Sequence, residues 1–225
     1  MKLEDIKSQL PEQLYSVLSS SINELRPAQE KSINAGLFDG KNLLVCTPTA
    51  SGKTFIGETT AVKRILERKG KAVYIVPLKA LANEKFKEFK SKYGEIFNIA
   101  LSIGDIDSSD SYLIDYDFIF TTSEKLDSLT RHNSPWLKLI GTIIIDEIHL
   151  LNDEDRGPTL EVLITILRRL LPQSQIIGLS ATIGNPEELA EWLNATLILD
   201  NWRPVKLEEG VYLDGELEFF ENDKK

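Results

Sequence analysis

Short, continuously apolar runs alternate along this chain with longer stretches of helical spacing. The runs at 42–46, 72–76, 97–102, 117–121, 141–146 and 175–180 are predicted strands. Most are hydrophobic at every position rather than at alternate ones, which is the pattern of strands buried on both faces of a parallel sheet. Between them, 53–68, 78–90, 123–131 and 158–171 carry helical patterns; the last is apolar nearly all round and is expected to be deeply packed. Ahead of the first strand, Leu14, Val17, Leu18, Ile22 and Leu25 predict an amphipathic helix over 14–25, with Pro11 tolerated at its start. Asn185, Pro186 and Glu188 supply an N-cap, a first-turn proline and a capping-box acid for a further short helix through Leu189, Trp192 and Leu193. No internal repeat interrupts the alternation, so the pattern predicts a doubly wound α/β domain over roughly residues 20–200.

Composition narrows the function classes. A length of 225 residues suits one large or two small domains, and 42% apolar with 27% charged residues excludes collagen-like, disordered and disulfide-scaffold classes. No apolar run approaches the roughly 18 residues that cross a bilayer, and the first ten residues lack a secretory signal, so the expectation is a cytoplasmic protein without a membrane partner. The one cysteine, Cys46, reads as a small buried apolar residue and leaves no cysteine cluster for a metal. Lys and Arg number 26 against 35 Asp and Glu, a net charge of −9 that argues against nucleic acid as a partner of the whole surface. A local groove is not excluded by that balance.

Several predicted strands end in polar or glycine-containing segments: TPTASGKT, PLKALANEK, TTSEK, DEIH and SAT. Ligands of open α/β sheets bind at the carboxyl ends of the strands, so these segments are expected to share one edge. TPTASGKT, residues 47–54, fits the phosphate-binding pattern GxxxxGK(S/T) except that Thr47 replaces the first glycine. The amides of Thr49, Ala50, Ser51 and Gly52 are expected to face a phosphate, with the following helix adding its positive N-terminus. Lys53 then reaches the β and γ phosphates, and the Thr54 hydroxyl can be a ligand for Mg²⁺. An isolated acidic pair at a strand end is more often a solvated loop, but with this loop in the same sheet Asp146 is assigned to the Mg²⁺ and Glu147 to orienting and deprotonating the attacking water. His149 fits no metal-ligand spacing; Ser180 and Thr182 are its expected polar neighbours, either as structural groups or as a coupler between nucleotide state and another site.

In chain order, Gln29 within LRPAQ, TPTASGKT, PLKALANEK, TTSEK, DEIH and SAT resemble the motifs of the first RecA-like domain of superfamily 2 helicases. KNLLVCTPTASGKT, TTSEKLDSL, DEIHLL, RGPTLE, GLSAT and NWRPV most resemble archaeal Hjm-type DNA helicases, relatives of the polymerase-theta helicase domain and of exosome-associated RNA helicases. The resemblance implies an α/β, RecA-like P-loop NTPase fold, a mostly parallel sheet with helices on both faces. It also implies that Gln29 reads the adenine edge, that Arg26 and Pro27 shape that pocket, and that Ser180 and Thr182 link hydrolysis through His149 to movement of nucleic acid. By the same resemblance, 77–85 and 121–125 line a groove for single-stranded or forked DNA. Lys79, Lys85, Thr122, Ser123 and Lys125 would contact phosphates there rather than base edges; for Lys79, Lys85, Lys125 and Arg131 a solvated helix face explains each residue equally well.

The family motor has two RecA-like domains, and the resemblance implies a second one that brings a Gly-Arg-rich segment. No Gly-Arg dipeptide occurs here, and Trp202, Arg203 and Pro204 lead into an acidic stretch. The expected organisation is a helical extension over 1–24, the motor domain over 25–200, and a linker or tail over 201–225. An arginine finger is worth about 10³–10⁵ in rate, so the expectation is ATP binding with little turnover. An RNA helicase of the same architecture, a small-molecule kinase and a non-catalytic ATP-binding module are the alternatives.

Overall fold

The computed structural model of the protein describes residues 1–104, 110–205, 208 and 210–219. Seven strands, β1 Leu43–Cys46, β2 Lys71–Val76, β3 Ile99–Ser102, β4 Phe118–Thr122, β5 Ile140–Ile145, β6 Gln175–Ser180 and β7 Thr196–Leu199, form one sheet in the order β3-β4-β2-β5-β6-β1-β7. Every pairing in it is parallel. The unbroken apolar runs have a direct cause in the side-chain alternation of a strand. Leu43, Val45, Tyr74, Ile144 and Leu179 enter the core on one face, while Leu44, Cys46, Val73, Ile143 and Ile145 enter the core on the other.

The first core is covered by α1 Glu12–Ser19, α2 Pro27–Asn34, α3 Lys53–Leu66 and α4 Lys79–Tyr93. The second lies under α5 Ser123–Arg131, α6 Gly157–Leu170 and α7 Pro186–Leu193. Within residues 1–24, Leu3, Ile6, Leu10, Leu14 and Leu18 belong to the same core as Val45 and Tyr74. After β7 the chain forms an exposed antiparallel hairpin, β8 Gly210–Leu213 with β9 Glu216–Phe219.

Four sequence expectations need correction. The helix predicted over 14–25 stops at Ser19, where the hydroxyls of Ser19 and Ser20 donate to the carbonyls of Ser16 and Val17 at 3.1 and 2.7 Å. Such local bonds compete with continued helix, and Ile22 and Leu25 reach the core from a loop instead. The helix α6 is one-sided rather than buried all round, with Val162 and Leu170 half exposed. Asn185 begins α7 without capping it; its amide donates to the Glu188 carboxylate at 3.1 Å. Finally, β7 has no counterpart among the predicted strands: it is an edge strand with only Ile198 buried, so its pattern carries little signal.

Cys46 closes β1 as a buried residue, and burial pushes its thiol up to about 11 against the smaller opposing effects of Ser180 and Lys53. The reactive thiolate is therefore scarce at neutral pH. Iodoacetamide at neutral pH is expected to leave the native protein unlabelled and to modify Cys46 only once urea unfolds it, a difference that mass spectrometry reads directly.

Candidate active site

The carboxyl ends of β1, β6 and β5 are adjacent in the sheet, so the loops that follow them meet. Residues 47–52 link β1 to α3, and the loop is braced from within. Thr47, in place of a glycine, is fully buried; its hydroxyl lies 2.6 Å from that of Ser51, and its amide donates to the Ser180 carbonyl at 3.2 Å. The turn into α3 uses left-handed backbone at Ala50, φ 64°, and at Gly52, φ 91°. At Gly52 the left-handed backbone favours glycine, and a Cβ would stand 2.6 Å from the Gln29 amide nitrogen and 3.1 Å from Arg26 Cδ, so a side chain there would push the Gln29 and Arg26 clasp aside.

Gln29 and Arg26 clasp the outside of this loop. The Gln29 amide donates to the Gly52 carbonyl at 3.2 Å and accepts from the Arg26 amide at 2.8 Å, while the Arg26 guanidinium donates to the Ala50 carbonyl. Pro27 opens α2 at its first position. Beside them lies a cleft of about 500 Å³ bordered by Ile22, Arg26, Gln29, Gly52, Thr54 and Glu58. Burial raises the Glu58 carboxyl above its ordinary range, against the opposing hydrogen bond from the Tyr93 hydroxyl at 2.6 Å.

Lys53 is buried, and its ammonium donates to the Thr47 and Ser180 carbonyls at 3.2 and 3.0 Å. Desolvation lowers its pKa, and the carboxylates of Glu147 and Asp146 oppose that fall, which places all three groups in one electrostatic neighbourhood. Asp146 follows directly on β5, with its amide held by the Ile75 carbonyl at 2.9 Å. One carboxylate oxygen accepts from the Tyr74 hydroxyl at 3.2 Å and lies 3.4 Å from the Lys85 ammonium; the other accepts from the Glu147 amide at 3.1 Å. Glu147 is itself in the left-handed region, φ 51°, so both acids lie in the turn that leaves β5 rather than on the strand. Sequence reasoning missed Tyr74, whose burial and contact with Asp146 push its hydroxyl pKa well up. Its only signal was a phenolic tip inside an otherwise apolar run.

The remaining assignments separate. His149 Nδ1 lies 3.3 Å from the Glu147 carboxylate, too poorly aligned for a hydrogen bond, and no hydrogen bond joins it to Ser180 or Thr182 among the described residues. Ser180 is buried at the end of β6, whereas Thr182 is exposed. Of the expected nucleic-acid set, Lys79 is exposed at the start of α4, but Lys85 turns into the site between Asp146 and Thr54. Thr122 caps α5 by accepting from the Lys125 amide at 3.4 Å, and Ser123 is buried. Lys125 is 2% exposed and ion-paired with Asp110 at 3.2 Å, and burial to that degree keeps its ammonium from a passing strand in this conformation. Arg131 is exposed and paired with Asp127 at 2.7 Å.

The constellation is thus a loop of backbone around a glycine cradle, a helix N-terminus, two lysines and two carboxylates, an arrangement that fits a polyphosphate and a divalent cation. Three comparisons bear on it. The family model described as DEAD/DEAH box helicase matches residues 26–189. An ATP-dependent DNA helicase Hel308 from Pyrococcus horikoshii is 51% identical over the whole of this chain, which covers 31% of that protein; one from Pyrococcus abyssi is 56% identical over 86% of the chain and 27% of the protein. The chain therefore spans about a third or less of the length of these relatives. Among solved structures, the helicase MrfA bound to DNA superposes with a TM-score of 0.74 at 25% identity, over 86% of this chain and 30% of that one.

Proposed function

Because this chain belongs to the DEAD/DEAH box helicase family, we propose that it is the ATP-binding first motor domain of an ATP-dependent 3′ to 5′ DNA helicase acting in repair or recombination at replication forks. The observation that carries the reading is the meeting of Lys53, Thr54, Asp146 and Glu147 at the adjoining ends of β1 and β5, across β6. The Gly52 cradle and Lys53 hold the phosphates, Thr54 and Asp146 hold Mg²⁺, and Glu147 accepts the proton of the attacking water. When bound, Mg²⁺ neutralises charge on the phosphates. Gln29 and Arg26, beside the cleft, bind the base. The likeness to Hel308 proteins and to MrfA on DNA supports single-stranded or forked DNA as the polymer, with Lys79 as its exposed contact, in an archaeal cytosol or nucleoid. On their own these residues bind ATP and turn it over slowly, since an arginine supplied from a second motor domain is worth about 10³–10⁵ in rate.

Thermal unfolding with ATP and Mg²⁺ tests the reading. A ligand at a hundredfold excess over its dissociation constant stabilises the native state by about 2.7 kcal/mol, or roughly 5–10 °C for a domain of this size. Wild type is expected to show that rise and Lys53→Ala to lose it. A rise that survives in Lys53→Ala contradicts the assignment.

A further inference from the structure

Lys85 lies where a nucleic-acid role was expected to leave it free, yet its ammonium is 3.3 Å from the Thr54 hydroxyl and 3.4 Å from the Asp146 carboxylate. These are the two groups assigned to the divalent cation. The lysine and aspartate side chains are 15% and 11% exposed, so the pair is shielded enough for its attraction to matter. The Tyr74 ring lies 5.3 Å from the ammonium, and its hydroxyl donates to the same Asp146 oxygen at 3.2 Å. One turn along α4, Phe89 is wedged against Phe118 and Phe120 with ring centroids 5.2 and 5.0 Å away, which fixes the helix and aims Lys85 inward.

We infer that Lys85 is an intramolecular stand-in for the divalent cation: it neutralises Asp146 and satisfies Thr54 until Mg²⁺ and nucleotide arrive, and Mg²⁺ must displace it. The inference rests on the proposed nucleotide site. An ammonium and a hydrated divalent ion both present positive charge and hydrogen-bond donors to a carboxylate and a hydroxyl, and the two cannot share the position. With α4 held by Phe89, the flexible lysine stem moves rather than the helix. Lys85 is then a positioning residue that sets how strongly the site takes metal.

The test uses Lys85→Met, which keeps the apolar stem, with Mn²⁺ binding followed by electron paramagnetic resonance at saturating ADP and fluorescent-ADP binding measured in parallel. Expected is Mn²⁺ affinity about tenfold tighter than wild type, since a competing cation is gone. In EDTA the variant melts below wild type because Asp146 has lost its partner, and the gap closes when Mn²⁺ is added. In an Asp146→Asn background, Lys85→Met no longer changes Mn²⁺ affinity, as expected if the lysine and the metal compete for that one carboxylate. Unchanged or weaker Mn²⁺ binding with ADP binding intact overturns the inference alone, marking Lys85 as a phosphate ligand or a structural ion pair. Absence of ADP binding in wild type overturns the nucleotide reading and this inference with it.

Discussion

Glu147→Gln, placed in the full-length protein, leaves ATP affinity near wild type and lowers turnover by about 10²–10⁴-fold, the usual contribution of a positioned general base. The amide keeps the size of the side chain but cannot accept the proton of the attacking water. The backbone reason to expect intact binding lies at φ 51°, a conformation that costs a non-glycine residue about 1–3 kcal/mol and is held by the Asp146 carboxylate, which accepts the Glu147 amide at 3.1 Å. Glutamine meets that constraint on the same terms, so Asp146 stays in place. Lys53→Ala has the opposite signature, because its ammonium bridges the Thr47 and Ser180 carbonyls and its loss opens the phosphate cradle. Fluorescent-ADP titration and phosphate release, run on both variants, separate the roles; equal loss of binding in the two refutes the division.

The parts of this site that were legible in the sequence are those fixed by chain continuity. A strand followed at once by TPTASGKT, and another followed at once by DEIH, deliver Lys53, Asp146 and Glu147 to one edge whatever the packing, because parallel strands end on the same side. The direction in which a polar side chain points was not legible. Lys85 and Lys125 have the residue type of phosphate contacts, but one turns to Asp146 and the other pairs with Asp110, choices made by residues distant in sequence. Thr122 likewise spends its hydroxyl on the first turn of α5. The same limit governs the fold. Continuous apolar runs identified the central strands, but edge strand β7 has one buried residue, and three successive serines ended α1 where periodicity alone continued it.

Gly141→Ala is expected to destabilise the protein by about 4 kcal/mol or more, beyond the usual range for point substitutions and a large share of a typical stability of about 5–15 kcal/mol. A Cβ at this position would stand 1.9 Å from the Lys69 carbonyl oxygen and 2.9 Å from its carbon, and backbone atoms cannot swing aside as a side-chain tip does. The crossing is reciprocal: at Gly70, φ 107°, a Cβ would meet the Leu139 oxygen at 2.7 Å and the Gly141 amide at 2.8 Å. Here β2 and β5 begin their pairing, with a register shift between Lys71 and Ala72. From that start the pairing runs through Ile143, Ile144 and Ile145, so relief of the clash at Gly141 moves the strand that carries Asp146. Gly184, with nothing within 4 Å of its would-be Cβ, serves as the control and is expected to tolerate alanine within about 0.5 kcal/mol. Urea denaturation reads both variants. A Gly141→Ala midpoint equal to wild type would mean that the two backbones can separate without cost, and the register of β5 would then need another anchor to bring Asp146 level with Thr54.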